Sequence, residues 1–254
     1  MKDLLMVRPP KLLMTIFLSA LAWITPPFSA IAQEPVYIGA FSIADTERTI
    51  PEGWEPLTFD KIKRHTAYEI VNQEGTTVIK AKSKNAASGL IRHIRVDPQK
   101  YPIIEWRWQA ANIYEKGDVS TKAGDDYPAR IYVAFAYDPD TVGFFEKAKF
   151  EAYKLIYGEY PPSRAISYIW ASHAAVGKMV DNAFTDRVKM IVVESGRKNL
   201  NKWVSEQRNL YGDYIRSFDE KPPMISGVAI MTDSDNTGET GTAYYGDILM
   251  KPER

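Results

Sequence analysis

The sequence predicts an all-β fold, a two-sheet β-sandwich or jelly roll with one long and one short helix inserted. About ten short apolar runs, most of them alternating, are separated by clusters of Gly, Pro, Asn and Asp. No regular exchange of strand and helix patterns is present, so a parallel α/β sheet is not expected. Aromatic residues make up 12% of the chain and cysteine is absent, so the core must be held by packing alone.

Taken in order, Val36–Ser42 (VYIGAFS) is the first strand, and a second begins at Gly53-Trp54 behind the breaker Pro51. Tyr68–Val71 and Thr76–Ala81 flank Asn72-Gln73-Glu74-Gly75, a hairpin signal in which Gly75 accepts positive φ. Leu90–Val96 sets Leu90, Arg92, Ile94 and Val96 against Ile91, His93 and Arg95, a strand with one wetter side. In Ile103–Ala110 (IIEWRWQA), Trp106 and Trp108 share a face with Ile104, while Glu105, Arg107 and Gln109 take the other. Ala129–Tyr137 (ARIYVAFAY) is apolar on both faces and belongs in the middle of a sheet.

Thr141–Tyr157 breaks the pattern. Phe144, Ala148, Ala152 and Ile156 recur every fourth residue with lysines largely opposite, which predicts an amphipathic helix of about four turns ended by Gly158 and Pro161-Pro162. Strands resume at Ala165–Ser172, Val188–Glu194 and Lys202–Gln207, and Tyr211–Phe218 is a short helix. The run ISGVAIMTDSDNTGETGTAYYGDILM, ending at Met250, supplies two final strands around an acidic loop.

The first 32 residues have the form of a secretory leader: Lys2, Arg8 and Lys11, an apolar stretch from Leu12 to Ile24, and the small-x-small site Ala30-Ile31-Ala32. Cleavage would leave residues 33–254 as a single periplasmic or secreted domain without a membrane span. The chain has 32 basic and 32 acidic residues; removing Lys2, Arg8, Lys11 and Asp3 with the leader leaves 29 against 31. That balance, without a long basic run, argues against nucleic acid.

The candidate site residues lie in three places. Asp233, Asp235 and Thr237, followed by Gly238, resemble the start of an oxygen-ligand calcium loop, with Asp247 and Asp126 as outside donors; the alternative is an Asx-rich turn satisfied by its own backbone. Asp125 and Asp126 stand at the mouth of a strand that carries Arg130, either as an oriented ligand-binding set or as a structural ion pair. Paired carboxylates such as Asp126 with Glu206 or Asp233 could serve glycan cleavage, and Tyr127, Arg130, Arg208 and Asn209 could serve a lyase. Trp106 and Trp108 are either core or a platform for a sugar ring. His65, His93 and His173 lack zinc-site spacing, and neither a G-x-S-x-G elbow nor a phosphate-cradling glycine loop occurs.

The succession EWRWQA, GDDYPARIYVAF, SYIWAS, VVESG, WVSEQRN, PPMISGVAIMTDSDNTG and AYYGDI, running from about Phe41 to Ile248, resembles the exported bacterial family known as domain of unknown function 3047. The resemblance implies an exported single domain similar to carbohydrate-binding jelly rolls, with no established activity. Trp106, Trp108, Asp125, Asp126, Arg130 and Glu206 match its pattern, as do Arg208, Asp213, Asp233, Asp235, Asn236, Thr237 and Asp247. The expected function is therefore non-catalytic binding of a glycan or cell-envelope polymer through Asp125, Asp126, Arg130, Glu206, Arg208, Asp233, Asp235 and Asn236. No cofactor is expected beyond a structural calcium ion. The alternatives are a glycan-cleaving enzyme and an envelope protein-interaction module using the Phe144–Tyr157 helix.

Overall fold

The computed structural model describes residues 33–139 and 160–253 and, between them, 143, 147, 148, 150, 151 and 154. Strands β1 (Val36–Gly39), β3 (Ala67–Gln73), β4 (Thr76–Lys84), β6 (Ile103–Ala110), β11 (Val204–Asn209) and β13 (Thr240–Lys251) form a six-stranded sheet. Its order is β11-β6-β13-β4-β3, with β1 also paired to β13. The second sheet has seven strands: β2 (Glu55–Leu57), β5 (Ala87–Val96), β7 (Arg130–Phe135), β8 (Arg164–Ala171), β9 (Met179–Asn182), β10 (Thr185–Ser195) and β12 (Ile225–Asp233). Their order is β2-β5-β12-β7-β8-β10-β9. The two sheets pack as a sandwich, as the alternating runs predict, and the described residues belong to one compact unit, Gln33–Arg254.

The period-two pattern decides which side chains meet between the sheets. From the six-stranded sheet come Ile104, Trp106 and Trp108, and from the other Ile131, Val133, Phe135, Tyr168 and Trp170. Trp106 and Trp108 meet edge to face at 5.4 Å, and they reach Tyr168 and Trp170 of β8 at 5.1 and 6.1 Å between ring centroids. Both indoles are core. A surface platform is excluded because Trp108 is fully buried and Trp106 only 3% exposed.

Local chemistry sets the turns. Between β3 and β4, Glu74 and Gly75 take φ of 53° and 81°, the two-residue hairpin that follows a right-handed strand twist, and Asn72 Oδ1 accepts the Gly75 N–H at 3.1 Å. Helix α1 (Leu210–Phe218) starts one residue earlier than the periodicity suggests because Asn209 caps it, its Oδ1 accepting the Gly212 N–H at 2.7 Å. It ends at Asp219, which is left-handed with φ 55°.

Three features depart from the reading of the sequence. β9 is a short polar edge strand, MVDN, with no apolar alternation to reveal it. β8 and β10 run parallel, whereas the other strand pairs among the described residues are antiparallel. Val36–Ser42 is a strand only to Gly39, after which Phe41–Ile43 forms a single 3-10 turn that sinks Phe41 into the core. Of the long helix expected over Thr141–Tyr157, residues 147, 148, 150, 151 and 154 are helical; the rest of that segment lies outside the described residues. Among the described residues no helix is long and apolar enough to cross a membrane.

Candidate functional site

Alternation along β7 turns Ile131, Val133 and Phe135 inward and therefore Arg130 and Tyr132 outward, on the far face of the seven-stranded sheet. The connection from β6 to β7 folds over part of that face, where Val119 and Tyr127 pack against Ile169, Ala171, Met190 and Val192. Beneath this cover Arg130 is 3% exposed and paired to Asp233. Its guanidinium lies 4.9 Å from the Tyr127 ring centroid and 5.4 Å from that of Tyr132, and its Nε and Nη1 have no hydrogen-bond partner.

The neighbouring acids are occupied by backbone and amide donors. Asp126 accepts the Asn236 N–H at 3.3 Å, the Asn236 Nδ2 at 3.1 Å and the Thr237 N–H at 2.6 Å, so it fastens the acidic loop from below. Asp233 Oδ1 accepts the Tyr127 N–H at 3.3 Å. Asp125 accepts from Asn182 Nδ2 at 2.9 Å through Oδ2, while its Oδ1 is buried without a partner. Half-buried Asp235 completes the group, and carboxylate oxygens of Asp126, Asp233 and Asp235 lie within 4.8 Å of one another. Burial, and then the Asp126 charge, raise the Asp235 carboxyl above its ordinary value.

This end of the sandwich differs from the expected polymer site. Asp125, Asp126, Arg130 and Asp233 are each at most 4% exposed, so a polymer on the surface has no access to them. The reason is local: a tight loop leaves N–H groups pointing inward, and buried carboxylates are their acceptors. One of the expected cation ligands, Asp247, has partners elsewhere, and another, Thr237, stays beside the acids. Asp247 stands apart, accepting Ser42 N–H at 2.7 Å and Ser42 Oγ–H at 2.6 Å. Thr237 turns its N–H to Asp126, and its Oγ1 accepts from Glu239 N at 3.4 Å. The acids that do converge are Asp126, Asp233 and Asp235.

Glu206 and Arg208 lie together on edge strand β11, paired in register with Trp106 and Ile104 and hence turned to the same side of the sheet. Arg208 is committed to Asp213 by two bonds, Nε to Oδ2 at 3.0 Å and Nη2 to Oδ1 at 2.8 Å, and Tyr168 donates to the same carboxylate at 2.8 Å. Asp213 is fully buried, so these donors replace the water it has lost. Glu206 is pushed up to about 7, first by burial and then by the nearby Glu194 charge, with the Trp108 indole acting in the opposite direction. Asp126 and Glu206, the two catalytic candidates, have separate sets of partners: Asp126 accepts from the acidic loop, and Glu206 is set beside Glu194 and Trp108.

The outer face of the six-stranded sheet offers the open surface that the acidic end lacks. Glu105 and Arg107 of β6, Ser205 and Gln207 of β11, and Asp247 and Leu249 of β13 line a groove of about 450 Å³, bordered by Glu206. Arg107 lies 4.7 Å from the ring centroid of Trp203, and its side chain crosses Gly246 so closely that a Cβ there would come within 2.4 Å of it. Lys251 pairs with Glu105. Glu105 and Arg107 were legible as the wet face of IIEWRWQA; Trp203 stood in the block WVSEQRN without a role assigned to it, and Ser42 carried no signal.

Two sheets with a packed core and one open polar face define a β-sandwich protein. The chain belongs to the family described as protein of unknown function (DUF3047), whose family model matches residues 52–249. The comparison with curated proteins found no match.

Proposed function

We propose that this protein is an exported, non-catalytic module that holds a glycan or related envelope polymer along the outer face of the six-stranded sheet. One observation carries the reading: the groove over β11, β6 and β13 sets carboxylate, guanidinium, amide and hydroxyl groups in a row, with the half-buried Trp203 ring against Arg107 at its margin. Sugars need that combination, with hydrogen-bonding partners of both kinds for hydroxyls and an aromatic surface for the apolar side of a ring. The leader-like residues 1–32 support a periplasmic or secreted location.

The test is a polysaccharide panel run by affinity gel electrophoresis, with chain length measured on the same samples. Retention with unchanged chain length is the expected result, and Trp203→Ala and Gln207→Ala should each weaken it by about tenfold. Shortened chains would replace this reading with a glycan-cleaving enzyme. In that case Glu206, flanked by Glu194, is the first residue to substitute, since a carboxyl near 7 suits a general acid. Absence of retention across the panel would overturn the proposal.

Structural calcium is a separate part of the proposal. Asp126, Asp233 and Asp235 would hold it, and the unpartnered Asp125 Oδ1 supplies further negative charge beside them. Its role would be to offset a surplus of buried carboxylates over the single guanidinium of Arg130.

A further inference from the structure

Between edge strand β11 of one sheet and β10 of the other, the fold brings together two carboxylates and leaves them without a cation. Register pairs Glu206 with the core residue Trp106, so Glu206 turns inward from the six-stranded sheet. On the other sheet a bulge interrupts the pairing of β10 with β8 between Val192 and Glu194. Val192 lies on the outer face with Ile169 and Val193 enters the core. Glu194 then stands opposite the core residue Trp170 instead of returning to the outer face. A bulge adds one residue to a strand and re-aims the side chains that follow. Strict alternation would have turned Glu194 away from Glu206. As it is, the Glu194 charge acts on Glu206 across the gap between the sheets.

Neither acid is neutralised. Among the described residues no lysine, arginine or histidine is ion-paired with Glu194 or Glu206. Arg208, whose charge reaches Glu206, is committed to Asp213. Glu194 accepts from neutral donors, Ser195 N–H and Asn199 Nδ2, each at 2.9 Å. The fully buried Trp108 indole is directed at Glu206, yet its Nε1 closes no hydrogen bond. Two like charges in a partly dry place demand a proton or a cation between them. Glu206 also lines the polymer groove, so a ligand lying there has access to it.

We propose that Glu194 and Glu206 bind an ammonium group of the polymer, so that the glycan held along the groove is one built from amino sugars with free, unacetylated amines. This rests on the polymer reading of the groove. An ammonium brings one positive charge and three N–H donors, which suits two carboxylates that keep free lone pairs. Calcium is a poorer match, since it takes roughly six to eight oxygens. Among the described residues the acids that converge in a group of three are Asp126, Asp233 and Asp235, at the other site. The same two charges disfavour a polymer of uronic acids.

The test is isothermal titration near neutral pH with the glucosamine tetramer of chitosan and the N-acetylglucosamine tetramer of chitin, which share a backbone and differ in charge. The glucosamine tetramer is expected to bind at least about tenfold more tightly. The double variant Glu194→Gln, Glu206→Gln keeps the shape of the site and should bring the two tetramers to equal affinity. If that variant melts early, Glu194→Gln alone should cut the preference at least about threefold. The double variant Glu34→Gln, Glu69→Gln removes two exposed charges elsewhere and should leave the preference intact. Equal affinities in the unaltered protein, no binding of the glucosamine tetramer, or a preference that survives Glu194→Gln overturns the proposal. The polymer reading is judged separately: it stands if the acetylated tetramer or a neutral polysaccharide is retained, and falls with the proposal only if no glycan binds.

Discussion

Arg130 and Asp233 form an ion pair that joins the first residue of β7 to the last residue of β12, with side chains only 4% and 2% exposed. They are not register partners: Arg130 stands opposite Met231, so the guanidinium reaches two residues along the neighbouring strand to close the end of the sheet. Among the described residues Arg130 is the one cation paired with the buried Asp125, Asp126 and Asp233 group, which makes the two halves of the pair unequal. Removing the acid leaves Arg130 with other acids nearby, whereas removing the base leaves Asp125, Asp126 and Asp233 without a guanidinium.

Arg130→Met should therefore destabilise the protein by about 3–5 kcal/mol, and by more than Asp233→Asn. Urea denaturation of both variants measures the difference. If the two cost the same, the charge surplus at this end has no energetic consequence.

Substitution of the indoles should divide along the line between core and surface. Trp108→Ala removes a fully buried ring and should cost about 3–5 kcal/mol, whereas Trp203→Ala should alter stability by less than about 1 kcal/mol. Thermal melts of the two variants, followed by circular dichroism, test the assignment.

Glu206 provides the pH dependence. Its folded value, about 7, stands above the ordinary 4.5, so the fold favours the protonated form. The stabilising contribution is complete below about 4.5 and is lost as pH rises through about 7. Glu206→Gln should melt roughly 2 °C above the unaltered protein near pH 8 and match it near pH 4. An equal offset at both pH values would show that the titration of Glu206 is not coupled to folding.

Calcium in the millimolar range should raise Tm by several degrees if Asp126, Asp233 and Asp235 hold the ion, because a ligand bound only by the folded state stabilises by mass action. Asp235→Asn should remove most of the rise while leaving the Arg130–Asp233 pair in place. Identical melts in calcium and in chelator would sink the cation.

The sandwich was legible where alternation is strong. IIEWRWQA places both tryptophans on one face and Glu105 and Arg107 on the other, and the charged face is the one that meets water. The extents of β5 and β10 were harder to read, because Ala87-Ser88-Gly89 and Thr185-Asp186-Arg187 join their strands without an apolar signature. The site was less legible still. Asp126 was a reasonable choice for a residue near the acidic loop, but nothing local tells that it accepts N–H groups from a loop 110 positions away. Likewise, Asp247 becomes a partner of Ser42 only through the pairing of β1 with β13. Burial and partner choice depend on contacts far apart in the chain, and periodicity carries no information about them.

That same pairing has a kinetic meaning. Val36 stands opposite Met250, and β13 is the shared neighbour of β1, β4 and β6. The six-stranded sheet therefore cannot close until β13, the last of its strands in chain order, is available, and each of its central ladders requires a loop closure across much of the chain. Contacts of such long range place folding in the slow, millisecond-to-second class. They also leave the early strands waiting with unpaired edges, the interval in which this chain is most exposed to self-association.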